Sequence, residues 1–151
     1  MINIGAPKNI EKLYKFKDDV SNPQIFETWK PKIKAYLEDL VRETPKEYLV
    51  PASEVPENLD EKAFDTISYL KKTKYLTDKE KSITSTSVID LEKLIESKKL
   101  SSVEVLKAFA HRAVIANEFT NFATQFFIKE ALTRAKNLDE YLAKTGKTVG
   151  P

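Results

Sequence analysis

The chain is 151 residues long, with 25 basic and 23 acidic side chains, one histidine, three glycines and no cysteine. Without cysteine there is no thiol nucleophile, disulfide or thiolate metal site, and a reducing compartment is the natural setting. The lone His111 excludes a two-histidine HExxH metal helix, and Gly5, Gly146 and Gly150 are too scattered for a dinucleotide fingerprint or a P-loop.

A chain of this length can bury roughly 68–70% of the surface its unfolded form exposes, enough for a core of its own. The formal net charge of +2 is spread almost evenly through the sequence, so nucleic acid is not an expected partner. Apolar runs last only a few residues and residues 3–17 lack a signal-peptide core. No membrane partner is expected, and a soluble cytoplasmic protein is.

Residues 1–20 are charged, carry apolar side chains only singly and read as a flexible arm. A helical region with a proline-rich connector is expected over residues 21–85. Asn22 can cap its start and Pro23 can occupy the first helical position. Ile25, Phe26, Trp29, Ile33, Tyr36, Leu37, Leu40 and Val41 then recur at helical spacing. Pro31 either kinks this helix or restarts it at Lys30, giving one helix or two, with Trp29 packed at the bend. Pro45, Pro51 and Pro56 push their predecessors toward extended backbone and predict a meandering connector. Residues 63–75, with Phe64, Ile67, Tyr69 and Leu70, read as a helix, and the polar stretch 77–85 reads as loop.

The second half, from residue 86, carries stronger signals. Ser87 with Asp90, and Ser101 with Glu104, each place a hydroxyl and a carboxylate three residues apart, the pattern of a helix start. The first helix presents Val88, Leu91, Leu94 and Ile95. The second presents Val105, Leu106, Phe109, Ala113 and Val114, with Ala110 and Ala116 allowing close approach. The two are expected to pair across a short loop. Residues 121–127 are aromatic and predict an extended segment. Ala131, Leu132, Ala135, Leu138, Tyr141 and Leu142 form a last helical face, closed by Gly146 as a left-handed cap.

Several fragments resemble chemistry and have simpler readings. Ser68 with Lys71 fits S-x-x-K, and Lys144-Thr145-Gly146 fits K-T-G, but the S-D-N element of penicillin-recognising enzymes is missing. His111 could serve Ser101 or Ser102 as general base, yet capping already accounts for those hydroxyls, and a surface or half-buried histidine is the expectation. Lys71, Lys72, Lys74, Lys79 and Lys81 are diluted by Asp65, Asp78 and Glu80 and read as a solvated face. Phe119, Phe122, Phe126 and Phe127 read as core. Neighbouring carboxylates such as Asp139 and Glu140 diverge by about 100° on a helix and cannot share one site. No metal site emerges, and no cofactor is expected.

The wording of the second half adds what periodicity cannot. Ile89-Asp90-Leu91, Leu100 to Val105, Ala108-Phe109-Ala110-His111-Arg112-Ala113, Thr120-Asn121, Glu130-Ala131-Leu132, Ala135 to Leu142 and Lys144 to Pro151 together resemble the amidase signature family, nearest its acetamidase-like branch. The likeness covers roughly residues 22–151 and is strongest from about residue 84. Ala110 departs from it, standing where relatives often have cysteine.

The resemblance implies a mainly α structure. Several packed helices with at most one short strand would correspond to the N-terminal helical part of the α/β amidase signature fold, with residues 86–151 starting the amidase domain. It implies hydrolysis of an amide to carboxylate and ammonia through a serine acyl-enzyme with a neutral lysine as base. It places that lysine and both serines downstream of Pro151, so no residue here is expected to be catalytic, cofactor-binding or metal-binding. A small amide would be a substrate only of a full-length enzyme. Self-association through exposed apolar helix faces at residues 103–116 and 130–142 is expected of the piece alone. The alternative is a stand-alone helical module for protein interaction.

Overall fold

The computed structural model describes residues 23–56, 59, 64–120 and 122–150. The expected arm, the Asn22 cap and Pro151 lie outside them. Among the described residues all regular structure is helical: α1 (Pro23–Glu43), two 3-10 turns (Lys46–Tyr48 and Ala52–Glu54), α2 (Thr66–Lys72), α3 (Asp78–Ser85), α4 (Val88–Glu96), α5 (Ser102–Thr120) and α6 (Ile128–Thr145). The mainly α expectation holds. No helix is long and apolar enough to cross a membrane, among the described residues.

Pro31 lies inside one continuous α1, so the helix does not restart. Its missing amide gives up one ladder bond without ending the element. Trp29 is 52% exposed and lies under the Lys32 ammonium, 4.4 Å from its ring, which corrects the expectation that it packs at a bend. On α1, Trp29, Ile33 and Tyr36 are exposed at 52%, 38% and 44%. The Tyr36 hydroxyl donates to the Thr124 carbonyl at 2.9 Å and ties α1 to the link before α6.

The connector does more than meander. Pro45 and Pro51, with φ of −58° and −52°, each open a 3-10 turn, and Val50 and Val55 are delivered to the interior. There they pack with Leu70, Leu76, Ile115 and Phe119 in one cluster. Leu76 and Ile115 are among the most completely buried side chains.

Helix α2 is shorter than its apolar pattern, because the Asp65 carboxylate accepts from the Ser68 amide at 3.0 Å and fixes the start. Phe64 falls outside it and stacks on Phe119 at 4.9 Å. The stretch expected as loop is helix α3. Thr77 Oγ1 accepts from the Glu80 amide at 3.2 Å while Glu80 Oε2 accepts from the Thr77 amide at 2.8 Å. This reciprocal capping box stabilises a helix whose one buried apolar residue, Ile83, leaves almost no periodic signal.

Both expected helix starts in the second half are present. Ser87 Oγ accepts from the Asp90 amide at 3.2 Å, and Ser101 with Glu104 forms a complete box at 3.0 and 2.8 Å. Between them Lys98 takes the left-handed φ of 59° that turns the chain. Helix α5 is the hub, with its broadest contacts to α3 and α6. It meets α4 through Leu91, which packs with Ala108 and Ile83. Ala108, Ala110, His111, Val114, Ile115, Asn117 and Phe119 are buried on more than one side of α5, so its sequence shows no single apolar stripe.

Residues 122–127 are an irregular link and not a strand. The Ala123 amide donates back to Asn117 Oδ1 at 2.9 Å, and Phe127 adopts the left-handed φ of 50°, so the segment turns where a strand would run straight. Ile128, Ala135 and Leu142 form the buried face of α6. Gly146, at φ 71°, ends α6 as expected, its amide donating to the Leu142 carbonyl at 3.0 Å.

Candidate functional site

Three elements converge at the amino end of α5. The Asp139 carboxylate, from the middle of α6, accepts from the Ser102 amide at 2.7 Å and the Val103 amide at 3.1 Å. It thereby satisfies two of the four orphan amides of α5 while its charge opposes the positive helix end. Glu104 occupies the same turn. Its carboxyl is lowered to about 2, first by its hydrogen bond from Lys79 and then by the Ser101 amide and hydroxyl. α3, α5 and α6 are thus joined by charge at one end.

Beside this junction is a groove of about 330 Å³. Val88, Leu91 and Ile95 form one wall, Val105, Leu138 and Leu142 another, and residues 148–150 close it. Ser102, Glu92 and Thr148 are its polar members. Ser102 and Glu92 are not hydrogen-bonded to one another, so the groove offers apolar surface and no activated nucleophile.

A second constellation surrounds the lone histidine. His111 is 8% exposed, which corrects the expectation of a surface or half-buried ring. Its Nδ1 lies 2.8 Å from Glu80 Oε1, and its ring stacks on Tyr48 with centroids 4.4 Å apart. Glu80 Oε2 accepts from both the amide and the hydroxyl of Thr77 at 2.8 Å. Burial raises the Glu80 carboxyl, but donation from His111 and Thr77 outweighs it, and the net direction is down. The structure gives His111 to Glu80 of α3; the Ser101 hydroxyl caps α5 by accepting from the Glu104 amide, and at Ser102 it is the backbone amide that bonds, to Asp139. The polar stretch 77–85 reads as loop in sequence, which shows neither the Thr77–Glu80 box nor its link to a histidine 31 positions away.

Other candidates take ordinary places. Ser68 and Lys71 lie on α2, where the Ser68 amide serves the Asp65 cap and Lys71 is exposed. Lys144 is exposed and pairs with Glu140 at 3.9 Å. Lys74 bonds Glu54 at 3.0 Å and Lys79 bonds Glu104, so the basic cluster is a solvated face laced with acids. Among the phenylalanines, Phe119 is core and Phe126 is half-buried, whereas Phe122 and Phe127 are 61% and 56% exposed, correcting the expectation that all four are core. The half-buried Glu118 carboxyl is pushed up to about 7 by burial.

No family model matches the chain. It is 38% identical over 108 residues to an amidase of Gibberella moniliformis, covering 71% of this chain and 20% of that one. It is 45% identical over 85 residues to an acetamidase of Emericella nidulans, covering 56% of this chain and 16% of that one. Among solved structures, a fatty acid amide hydrolase superposes with a TM-score of 0.73 and 44% identity over 82% of this chain and 22% of that one. The chain belongs to the amidase signature family. It spans about a fifth of the length of the amidase relatives it matches. In this family member the junction of Asp139 with α5 and the His111–Glu80 contact are internal bonds of a helical unit.

Proposed function

We propose that residues 1–151 are the N-terminal helical portion of an amidase-signature hydrolase, which converts an amide and water to a carboxylate and ammonia. The likeness to a fatty acid amide hydrolase, 44% identical at a TM-score of 0.73, carries this reading. The portion acts as scaffold: α5 is the hub, and the groove beside α4 together with exposed Trp29, Ile33 and Tyr36 of α1 offers apolar surface to the remainder of the enzyme. The attacking serine, its bridging serine and the lysine base are supplied by sequence outside these residues, since the nearest mimics, Ser68 with Lys71 and Ser102 beside Glu92, are not assembled for attack.

The test is ammonia release from acetamide and benzamide. Purified residues 1–151 should give no release above buffer, and the polypeptide extended to the full length of its relatives should give turnover. Robust release by residues 1–151 alone would overturn the scaffold assignment.

A further inference from the structure

We propose that the His111–Glu80 contact is a proton-gated clasp, which holds the proline-rich connector on α3 and α5 when the imidazole is charged and loosens it when the imidazole is neutral. The geometry is that of a two-sided cation seat. One edge of the ring meets a carboxylate at 2.8 Å and one face lies on the Tyr48 ring at 4.4 Å, nearly parallel at 18°. A charged imidazole gains on both sides, because a charge-assisted hydrogen bond is roughly twice as strong as a neutral one and an aromatic face attracts a cation.

The carboxylate is held ready. Glu80 Oε2 is bonded by two donors of Thr77, so Glu80 remains an anion under the conditions in which imidazole changes charge, between about pH 5 and 8. The opposing effect is burial, which disfavours the cation. The other groups facing this seat do not cancel it: the turn contributes Tyr48 with Glu47 behind it, Arg112 of α5 donates to Thr84 at 3.2 Å, and α6 brings the apolar Ile128 and Leu132 to the cluster in which Tyr48 sits. Tyr48 belongs to the Lys46–Tyr48 turn, two residues before the buried Val50, so the ring stack is where the proton couples to connector docking.

A double-mutant cycle tests this on the intact chain. Urea unfolding of the unmodified chain, His111→Gln, Glu80→Gln and the double variant is measured at pH 5.5 and pH 8.5. The separate pH response of Glu118 cancels in the cycle. The coupling between positions 80 and 111, expressed as a factor in the unfolding constant, should be about fivefold larger at pH 5.5. Equal factors at both pH values would overturn the proposal.

Hydrogen exchange on the unsubstituted chain gives an independent reading should a variant fail to fold. After correction for intrinsic exchange, protection of the Tyr48 and Leu49 amides, bonded to Pro45 and Lys46 carbonyls, should fall about threefold from pH 5.5 to 8.5 relative to the Gly146 amide. A parallel change at all three amides would equally sink the clasp.

Discussion

Glu118 sits near the carboxyl end of α5, half-buried, with no ion-pair or hydrogen-bond partner among the described residues. Its carboxyl is raised to about 7 by burial, so the folded chain binds a proton there that the unfolded chain releases near its ordinary value of 4.5. The stability tied to that proton is complete below about pH 4.5 and is lost as pH rises through about 7. Glu118→Gln should therefore stabilise the chain at pH 8.5 by on the order of 2 kcal/mol and leave it nearly unchanged at pH 4.5. Urea midpoints at the two pH values decide it, and an equal gain at both would contradict the burial account. Backbone conformation shows a second kind of single-residue cost. Lys98 holds a left-handed φ of 59° where glycine would be free of the Cβ penalty. Lys98→Gly should raise the denaturation midpoint by the equivalent of about 1 kcal/mol, whereas Gly146→Ala, at φ 71° with open space around it, should lower it by about the same.

Helices α2 to α5 owe their starts to side-chain caps, and in α5 one cap is supplied from far away. Asp139 bonds two amides of α5 across 36 and 37 residues of sequence. Asp139→Ala should cost about 1–2 kcal/mol in chemical denaturation and fray the first turn of α5, seen as faster exchange of the Ser102 and Val103 amides. Local exchange left unchanged would show that the Ser101–Glu104 box suffices. The box at Ser101–Glu104 and the Ser87 cap on the Asp90 amide were legible because the interacting groups are three residues apart and an apolar helix follows. The start of α3 has the same Thr77-x-x-Glu80 spelling, but one buried side chain, Ile83, gives no periodicity to draw attention to it. Asp139 was illegible for a different reason: a carboxylate on a helix says nothing of which amides it will meet when two helices cross. The same holds for His111, whose burial depends on Glu80 and Tyr48 arriving from two other elements.

Across the whole molecule, anionic carboxylates serve as fasteners. Glu80 and Glu104 both have lowered carboxyl values in the fold, so their contribution is present above the ordinary value of 4.5 and is lost as pH falls through the folded values, about 2 for Glu104. The thermal midpoint should drop between about pH 5 and pH 2, and a Glu80→Gln, Glu104→Gln pair should flatten that drop when followed by circular dichroism. An unaltered acid limb in the pair would assign the loss to other groups. Helical class, the starts of α4 and α5 and the Gly146 end of α6 were readable from spacing and caps, and family membership from the wording around Ala108 to Ala113, whereas the irregular link at 122–127 reads wrongly as extended. The interior role of the connector was not, because isolated Val50 and Val55 between prolines have no period.

Those two valines carry a practical consequence for anyone dissecting the chain. A recombinant segment begun near residue 84, where the family wording becomes dense, would strip Val50, Val55, Leu70 and Leu76 from Ile115, which is 0% exposed in the intact fold. The hub helix would then turn a newly bared aliphatic flank to water, and a splice point upstream of Lys46 is the safer design.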